Sequence, residues 1–165
     1  MENGTITNAH AGWVIPITFL AAFILTLLPM PDWSIWLRPA WVLMVLIYWA
    51  MMAPHQVNMG AAWVIGVFLD VLNGTLLGEH ALAMTIVVYG VVKMHSRLRM
   101  WPLMQQGLSI FMFVLLYQFV LFCVQSFLGQ PPSSWIYWSS SVTSMLLWPW
   151  VFSIIRNCRR RFTVV

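Results

Sequence analysis

The chain has 165 residues, of which 61% are hydrophobic and only 7% are charged, and its mean hydropathy is +0.83. An ordinary soluble domain carries about 25% charged residues, and no water-soluble fold of this size could bury so much apolar surface, whereas lipid can cover it. The composition excludes a soluble globular protein and predicts a single integral membrane domain over residues 1–165. The formal charge of +4 is typical of residues that flank membrane spans, so we expect no nucleic-acid partner.

Apolar stretches separated by proline and glycine predict an all-α polytopic protein with six transmembrane helices. Pro29 and Pro31 end the first stretch, because a helix interior does not tolerate them. Pro54 closes the second stretch, and Asn73-Gly74 is a turn signal between the third and the fourth. The predicted spans cover residues 13–28, 36–53, 57–72, 76–94, 103–128 and 135–155.

Basic residues sort to one side of these spans. With six crossings, the two termini and the loop after the fourth span share a side, and Arg38 is the only Lys or Arg on the other side. Membrane insertion keeps Lys and Arg on the cytoplasmic side, so both termini are predicted to be cytoplasmic. Loss of one span before Lys93 would place the N-terminus outside instead. The residues on the predicted cytoplasmic side are Lys93, Arg97, Arg99, Arg156, Arg159, Arg160 and Arg161.

Asp70 is the most informative acidic residue. A carboxylate at the centre of a bilayer costs about 2.5–3.5 kcal/mol. Asp70 lies near the outer end of the third span, where the cost is lower, but it still needs a partner. Small residues recur every four positions around it, which predicts a stripe where a neighbouring helix approaches closely. This candidate helix-packing stripe comprises Ala62, Gly66, Gly74 and Gly78, of which the last two can instead belong to the turn and the fourth span.

A cluster of ionisable residues is predicted at the outer end of the bundle. Because Arg38 and Asp70 lie at similar depth, we predict an ion pair or a hydrogen-bonded cluster there, with Asn73 beside it, lining an outward-facing cleft. Such a cluster can be a structural cap without a ligand, or it can bind a substrate or a lipid, since ionisable groups in spans mark functional sites. The residues that the topology places at this end are Arg38, Asp32, Glu79 and His80.

Other polar side chains in the spans favour hydrogen bonds between helices. Gln118 and Gln125 share one face of the fifth span. A second such set lies on one face of the sixth span and comprises Ser140, Thr143 and Ser144.

The sequence predicts neither catalysis nor a cofactor. Cys123 and Cys158 are expected at different depths, so we predict no disulfide and no metal site. There is no nucleophile–base–acid set, zinc-ligand spacing or phosphate loop. We therefore expect that the protein is not an enzyme.

Three segments carry a resemblance. Residues 38–60 read RPAWVLMVLIYWAMMAPHQVNMG, residues 66–84 read GVFLDVLNGTLLGEHALAM, and residues 138–152 read WSSSVTSMLLWPWVF. Together they resemble the rod shape-determining protein MreD family of Gram-negative bacteria, and the similarity extends from about residue 13 onward. Gln56 stands where the family often has arginine. The residues that match in order are Pro39, Tyr48, Trp49, Pro54, Gly60, Gly66, Asp70, Gly74, Leu77 and Gly78.

The resemblance implies a non-enzymatic scaffold subunit of the cell-elongation (rod) complex in the bacterial inner membrane. Its implied direct partner is the bitopic protein MreC. Through MreC it would couple the actin-like MreB to RodA and a class B penicillin-binding transpeptidase. The family is also similar to the six-helix substrate-binding subunits of energy-coupling-factor transporters, although a shared fold does not fix function. The alternative is a ligand-binding or transport subunit that holds a small molecule or a lipid-linked precursor in a periplasm-facing cleft.

Overall fold

The computed structural model describes residues 7–29, 31, 37–129 and 135–163. These residues form six α-helices and no strand, so the all-α prediction is confirmed. The short 3₁₀ helix Trp135–Trp138 leads directly into the last α-helix. The helices are α1 (Thr7–Leu27), α2 (Trp41–Met52), α3 (Met59–Asn73), α4 (Glu79–Met100), α5 (Leu103–Phe127) and α6 (Ser139–Thr163).

α2 is the central helix of the bundle and packs against α1, α4 and α6. Every residue from Val42 to Met51 is buried, which requires neighbours on all sides of the helix and explains why α2 is apolar all round. The Trp49 indole N–H donates to the Thr18 hydroxyl at 2.9 Å, which joins α2 to α1. Its 12 residues rise only about 18 Å along the axis.

α3 has well-defined ends. It begins after Asn58, whose side-chain oxygen accepts the N–H of Gly60 at 3.1 Å and the N–H of Ala61 at 3.2 Å, and these bonds satisfy two donors of the first turn. It ends at Gly74, which has a φ of 65°, a conformation that glycine adopts without strain. α3 packs principally on α4, so the two helices form an antiparallel hairpin.

The helices alternate in direction. Residues from the C-terminal parts of α1, α3 and α5 and from the N-terminal parts of α2, α4 and α6 surround one cavity. The last two turns of α4 and α6 lie at the opposite end and carry Lys93, Arg97, Arg99, Arg156 and Arg159–Arg161. We call the two ends of the bundle the cavity end and the basic end, and Arg38 lies at the cavity end.

Helix bounds depart from the predicted spans chiefly at the basic end. α4 continues to Met100 and α6 to Thr163, past the predicted ends at 94 and 155, because Lys and Arg are good helix formers and complement the carbonyl end of a helix dipole. α2 begins at Trp41, whereas the predicted start at residue 36 lies outside the described residues, as does Asp32.

Judged by length and composition alone, one described helix, α5, is long and apolar enough to cross a membrane, and its mean hydropathy is 2.3. Charged residues lower the hydropathy of α4 and α6, whose last turns are basic. The shorter apolar helical segments in the described part of the chain are Trp13–Leu27, Trp41–Met52 and Met59–Asn73.

Candidate functional site

The Asp70 carboxylate lies where α3 meets α4, and it is fully buried. Its Oδ1 accepts the backbone N–H of His80 at 2.9 Å and the Thr75 hydroxyl at 3.1 Å, and it lies 2.7 Å from His80 Nδ1. Its Oδ2 accepts the backbone N–H of Gly78 at 2.8 Å. We call Asp70, Thr75, Gly78 and His80 the Asp70 latch. Because both carboxylate oxygens are bonded, the desolvation of the buried charge is offset.

The Asp70 latch caps α4 from a different helix. The N-cap residue of α4 is Gly78, which has no side chain to accept the N–H groups of the first turn. The carboxylate of Asp70 accepts the N–H of His80 in the first turn and the N–H of Gly78 itself, and its negative charge faces the positive end of the α4 dipole. A structural cap therefore accounts for the burial of Asp70 without a ligand.

The expected ion pair between Arg38 and Asp70 is not formed. Among the described residues the Asp70 carboxylate contacts His80 Nδ1 at 2.7 Å, and Arg38 Nη2 donates to the Leu28 carbonyl at 2.7 Å. The physical reason is the short turn after α3, which places the donors at the start of α4 directly against the Asp70 carboxylate. These donors occupy its oxygens, so Arg38 is not needed as a partner.

The small-residue stripe is occupied within the chain. Ala62 and Gly66 are buried on the Asp70 face of α3. A Cβ on Gly66 would lie 2.3 Å from Ala81 Cα, so the backbones of α3 and α4 are in direct contact. Gly74 and Gly78 have φ values of 65° and 103° and open space around their Cβ positions. Their role is therefore in the turn, and the stripe offers no free face to another protein.

Glutamine side chains join α5 to its neighbours. Gln125 Nε2 donates to Glu79 Oε1 at 2.6 Å, so Glu79 binds a glutamine of α5 rather than Arg38. Gln118 Nε2 donates to the Tyr137 carbonyl at 2.8 Å, and Gln118 Oε1 accepts the Ser141 hydroxyl. The predicted interhelical use of both glutamines is confirmed.

Serines of α6 satisfy the non-helical backbone that precedes α2. The Ser140 hydroxyl donates to the Arg38 carbonyl at 2.7 Å, and the Ser144 hydroxyl accepts the Ala40 N–H at 3.2 Å. Thr143, which the sequence placed on the same face, bonds to the Ser139 carbonyl within its own helix at 3.1 Å. Two of the three predicted residues therefore bond between segments of the bundle.

A cavity of about 300 Å³ opens at the cavity end, and we call it the polar cavity. Arg38 and Asn73 line it as predicted, whereas Asp70 lies behind His80 and Glu79 is not part of the wall. Leu43, with other aliphatic side chains, supplies the apolar part of the wall. The main polar side chains of the wall are Thr26, Arg38, Asn73, His80, Tyr117 and Tyr137.

Two donors at this wall are buried and lack a hydrogen-bond partner among the described residues. They are Nε of Arg38 and Nε1 of Trp41. A buried donor left without a partner costs about 1–3 kcal/mol. Because Asp70 is enclosed by its latch, the Arg38 guanidinium gives the polar cavity its positive charge.

Sequence reasoning missed the two tyrosines of this wall, Tyr117 and Tyr137. A signal was present for the first, because Tyr117, Leu121 and Gln125 recur every four residues and therefore share one face of α5. His80 was placed at this end, but its pairing with Asp70 depends on the conformation of the turn.

The residues that carry the family resemblance lie partly in the core and partly at helix ends and turns. Tyr48 and Trp49 are buried in α2, and their rings pack edge to face at 5.5 Å between centroids. Pro39 precedes α2 and Pro54 follows it, so the two prolines bound the central helix. Gly60 lies in the first turn of α3, close to the Asn58 cap.

The fold and its apolar exterior define a helical protein of the membrane-embedded class. A model of the family described as rod shape-determining protein MreD matches residues 8–158. A curated relative, the rod shape-determining protein MreD of Haemophilus influenzae, is 35% identical over 143 residues, which are 87% of this chain and 88% of the relative. The chain therefore belongs to the rod shape-determining protein MreD family.

No solved structure matches the chain. The expected resemblance to the substrate-binding subunits of energy-coupling-factor transporters is therefore unsupported.

Proposed function

We propose that this chain is a non-enzymatic scaffold subunit of the bacterial cell-elongation (rod) complex, embedded in the inner membrane by six crossings. Its direct partner is MreC, and the same complex contains MreB, RodA and a class B penicillin-binding transpeptidase. In this role it regulates cell shape by coupling cytoskeletal filaments to peptidoglycan synthesis. Membership of a family named for rod shape determination supports the proposal.

The observation that carries the proposal is the contrast between a bonded interior and an apolar exterior. The polar groups of α3 and its stripe of small residues are engaged by α4. The exposed residues of α3, which form its outer face, include large apolar side chains, with Trp63 54%, Phe68 60% and Val71 63% exposed. Within a membrane, helices associate by close packing of such faces, which suits a subunit that binds the single helix of a partner.

Co-purification tests this proposal. The full-length chain and MreC are expressed together and extracted in a mild uncharged detergent, and we expect MreC to be recovered with the chain. Trp63→Ala should lower that recovery several-fold if the outer face of α3 is the binding surface. The matched control is Trp150→Ala on α6, since Trp150 is also exposed, at 72%. Failure of the wild-type chain to retain MreC would contradict the scaffold function.

Reporter fusions test the six crossings and the cytoplasmic termini. The proposal places the basic end in the cytoplasm, because membrane insertion retains Lys and Arg there. A fluorescent protein fused to the C-terminus should therefore fluoresce, and alkaline phosphatase at the same position should be inactive. The reverse pattern would refute the orientation and would place the polar cavity on the cytoplasmic side.

The polar cavity favours a second candidate function. In that function the chain is a ligand-binding or transport subunit that holds a small molecule or a lipid-linked precursor in a periplasm-facing cleft. The supporting observation is that Arg38 lines a cavity of about 300 Å³ whose described wall holds no carboxylate. Native mass spectrometry of protein extracted from membranes tests it. A bound species that is not detergent supports this function, and a bare protein mass opposes it.

A further inference from the structure

We propose that the polar cavity binds an anionic group of the phosphate class and that the Arg38 guanidinium is its counter-charge. The inference rests on the second candidate function and names its ligand chemistry. It is independent of MreC binding, so its outcome can differ from that of the scaffold proposal.

Arg38 bonds to two other segments of the chain. Its guanidinium Nη2 donates to the Leu28 carbonyl after α1, and its backbone carbonyl accepts the Ser140 hydroxyl of α6. One donor of the same group, Nε, stays buried and unpartnered within the described structure. Guanidinium donors form a planar fork that matches the oxygens of phosphate or carboxylate. The part of this fork that lines the cavity is therefore suited to an oxyanion, whereas Nε itself is shielded from the cavity by burial.

The charges around the cavity also favour an anion. In the described part of the chain, two acidic residues lie near the cavity, and both have other partners: Asp70 is enclosed by its latch, and Glu79 accepts a hydrogen bond from Gln125. On the described wall itself there is no carboxylate. The described wall therefore presents the Arg38 guanidinium and no carboxylate to whatever enters.

The size and the apolar part of the cavity limit the ligand further. A volume of about 300 Å³ is at the lower end of the range for ligand sites, and it equals the space of about ten water molecules. A phosphate group fits together with a short organic attachment, whose carbons can contact Leu43, Met84 and Leu121. Lipid headgroups and soluble phosphate esters both present this chemistry.

The test measures binding to the full-length chain in an uncharged maltoside detergent. The lipid probe is dioctanoyl phosphatidylglycerol, its phosphate-free control is dioctanoylglycerol, and the soluble probe is sn-glycerol 3-phosphate. Native mass spectrometry and microcalorimetry report the affinities. We expect Arg38→Gln to weaken binding of the phosphate-bearing probe at least tenfold. The matched control is Arg97→Gln at the basic end, which removes the same charge and should leave binding unchanged.

A second variant separates loss of the site from loss of the fold. Leu121→Trp leaves Arg38 intact and fills part of the cavity, so it should also weaken binding at least tenfold while the protein elutes and unfolds like the wild type. If Arg38→Gln does not fold, the Leu121→Trp result decides the question.

The outcomes are distinct. Binding of the lipid probe that depends on Arg38 and on the cavity supports the proposal and assigns a headgroup. The same pattern for sn-glycerol 3-phosphate supports it and assigns a soluble ester. Absence of binding by both probes, equal loss in Arg38→Gln and Arg97→Gln, or full binding by Arg38→Gln overturns it. A bound neutral ligand that is insensitive to Arg38 overturns this inference while leaving the second candidate function in place.

Discussion

Replacing Gly66 by alanine perturbs a close backbone contact between α3 and α4. The added Cβ would lie 2.3 Å from Ala81 Cα, 2.6 Å from Ala81 N and 2.9 Å from the carbonyl carbon of His80. Ordinary contacts of a Cβ begin at 3.4 Å, and every one of these neighbours is backbone, which cannot rotate aside. α3 and α4 must therefore separate locally by about 1 Å, the difference between 2.3 and 3.4 Å.

That separation weakens the Asp70 latch, because Asp70 lies one turn from Gly66 on the same face of α3. Its bonds to the N–H groups of Gly78 and His80 are 2.8 and 2.9 Å long, and hydrogen bonds weaken beyond about 3.2 Å. Overpacking costs about 1–3 kcal/mol, and loss of one bond to a charged group costs about 1.5–3 kcal/mol. Alanine is favoured over glycine in a helix interior by about 1 kcal/mol, so the expected net loss of stability is about 1.5–5 kcal/mol, the sum of these two ranges less that gain.

The measurement is an unfolding curve of the detergent-solubilised chain, followed by tryptophan fluorescence. Gly107→Ala on α5 is the control, since its Cβ would lie 3.8 Å from the nearest atom, the Met145 carbonyl oxygen. Alanine in a helix interior is favoured over glycine by about 1 kcal/mol, so this control should match or exceed the wild type. An unfolding midpoint of Gly66→Ala equal to that of the wild type would show that the two backbones are not in contact.

Three other substitutions test the cavity end with the same curves. Asp70→Ala should cost about 3 kcal/mol or more, because it leaves the buried donors of α4 without an acceptor, and Asp70→Asn should cost less. Gly78→Ala should cost about 1–2 kcal/mol, since its φ is 103° although its Cβ has open space, and Gly78→Asn should recover part of the loss. Gln125→Ala should cost about 1.5–3 kcal/mol because Glu79 loses the bond from Nε2, and adding Glu79→Gln should restore part of it. A wild-type curve for Asp70→Ala or Gln125→Ala contradicts the bond that the variant removes, and a wild-type curve for Gly78→Ala contradicts the strain expected from the positive φ.

The helices were predictable from the sequence because their signals are local. Apolar runs, the prolines around α2 and the Asn73-Gly74 turn lie within a few residues of the ends that they determine. The exceptions are the last turns of α4 and α6, where charged residues ended the apolar runs without ending the helices. Hydropathy measures contact with lipid, whereas helix formation depends on backbone and side-chain preferences.

The candidate site was predictable only in part. Alternation of helix direction placed Arg38 and Asn73 at one end of the bundle, and both line the polar cavity. The partner of Asp70 was not predictable, because it depends on the positive φ of Gly78, which orients the first N–H groups of α4. Tyr117 was missed because α5 is apolar around most of its circumference, so its sequence gives little indication of how the helix is rotated in the bundle.

The polar cavity follows from the length of α2. The central helix rises about 18 Å, whereas the hydrocarbon of a bilayer is about 30 Å thick, and residues 38–40 ahead of it are not helical. Non-helical backbone at membrane depth is tolerated only where protein satisfies it or where it lines a cavity, and both conditions hold here through Ser140, Ser144 and the polar wall. A longer α2 would fill this space with its own side chains. Pro39 opposes that extension because it lacks a backbone N–H and restricts the residue before it. The proline of the family motif therefore accounts both for the interruption ahead of α2 and for the cavity beside Arg38.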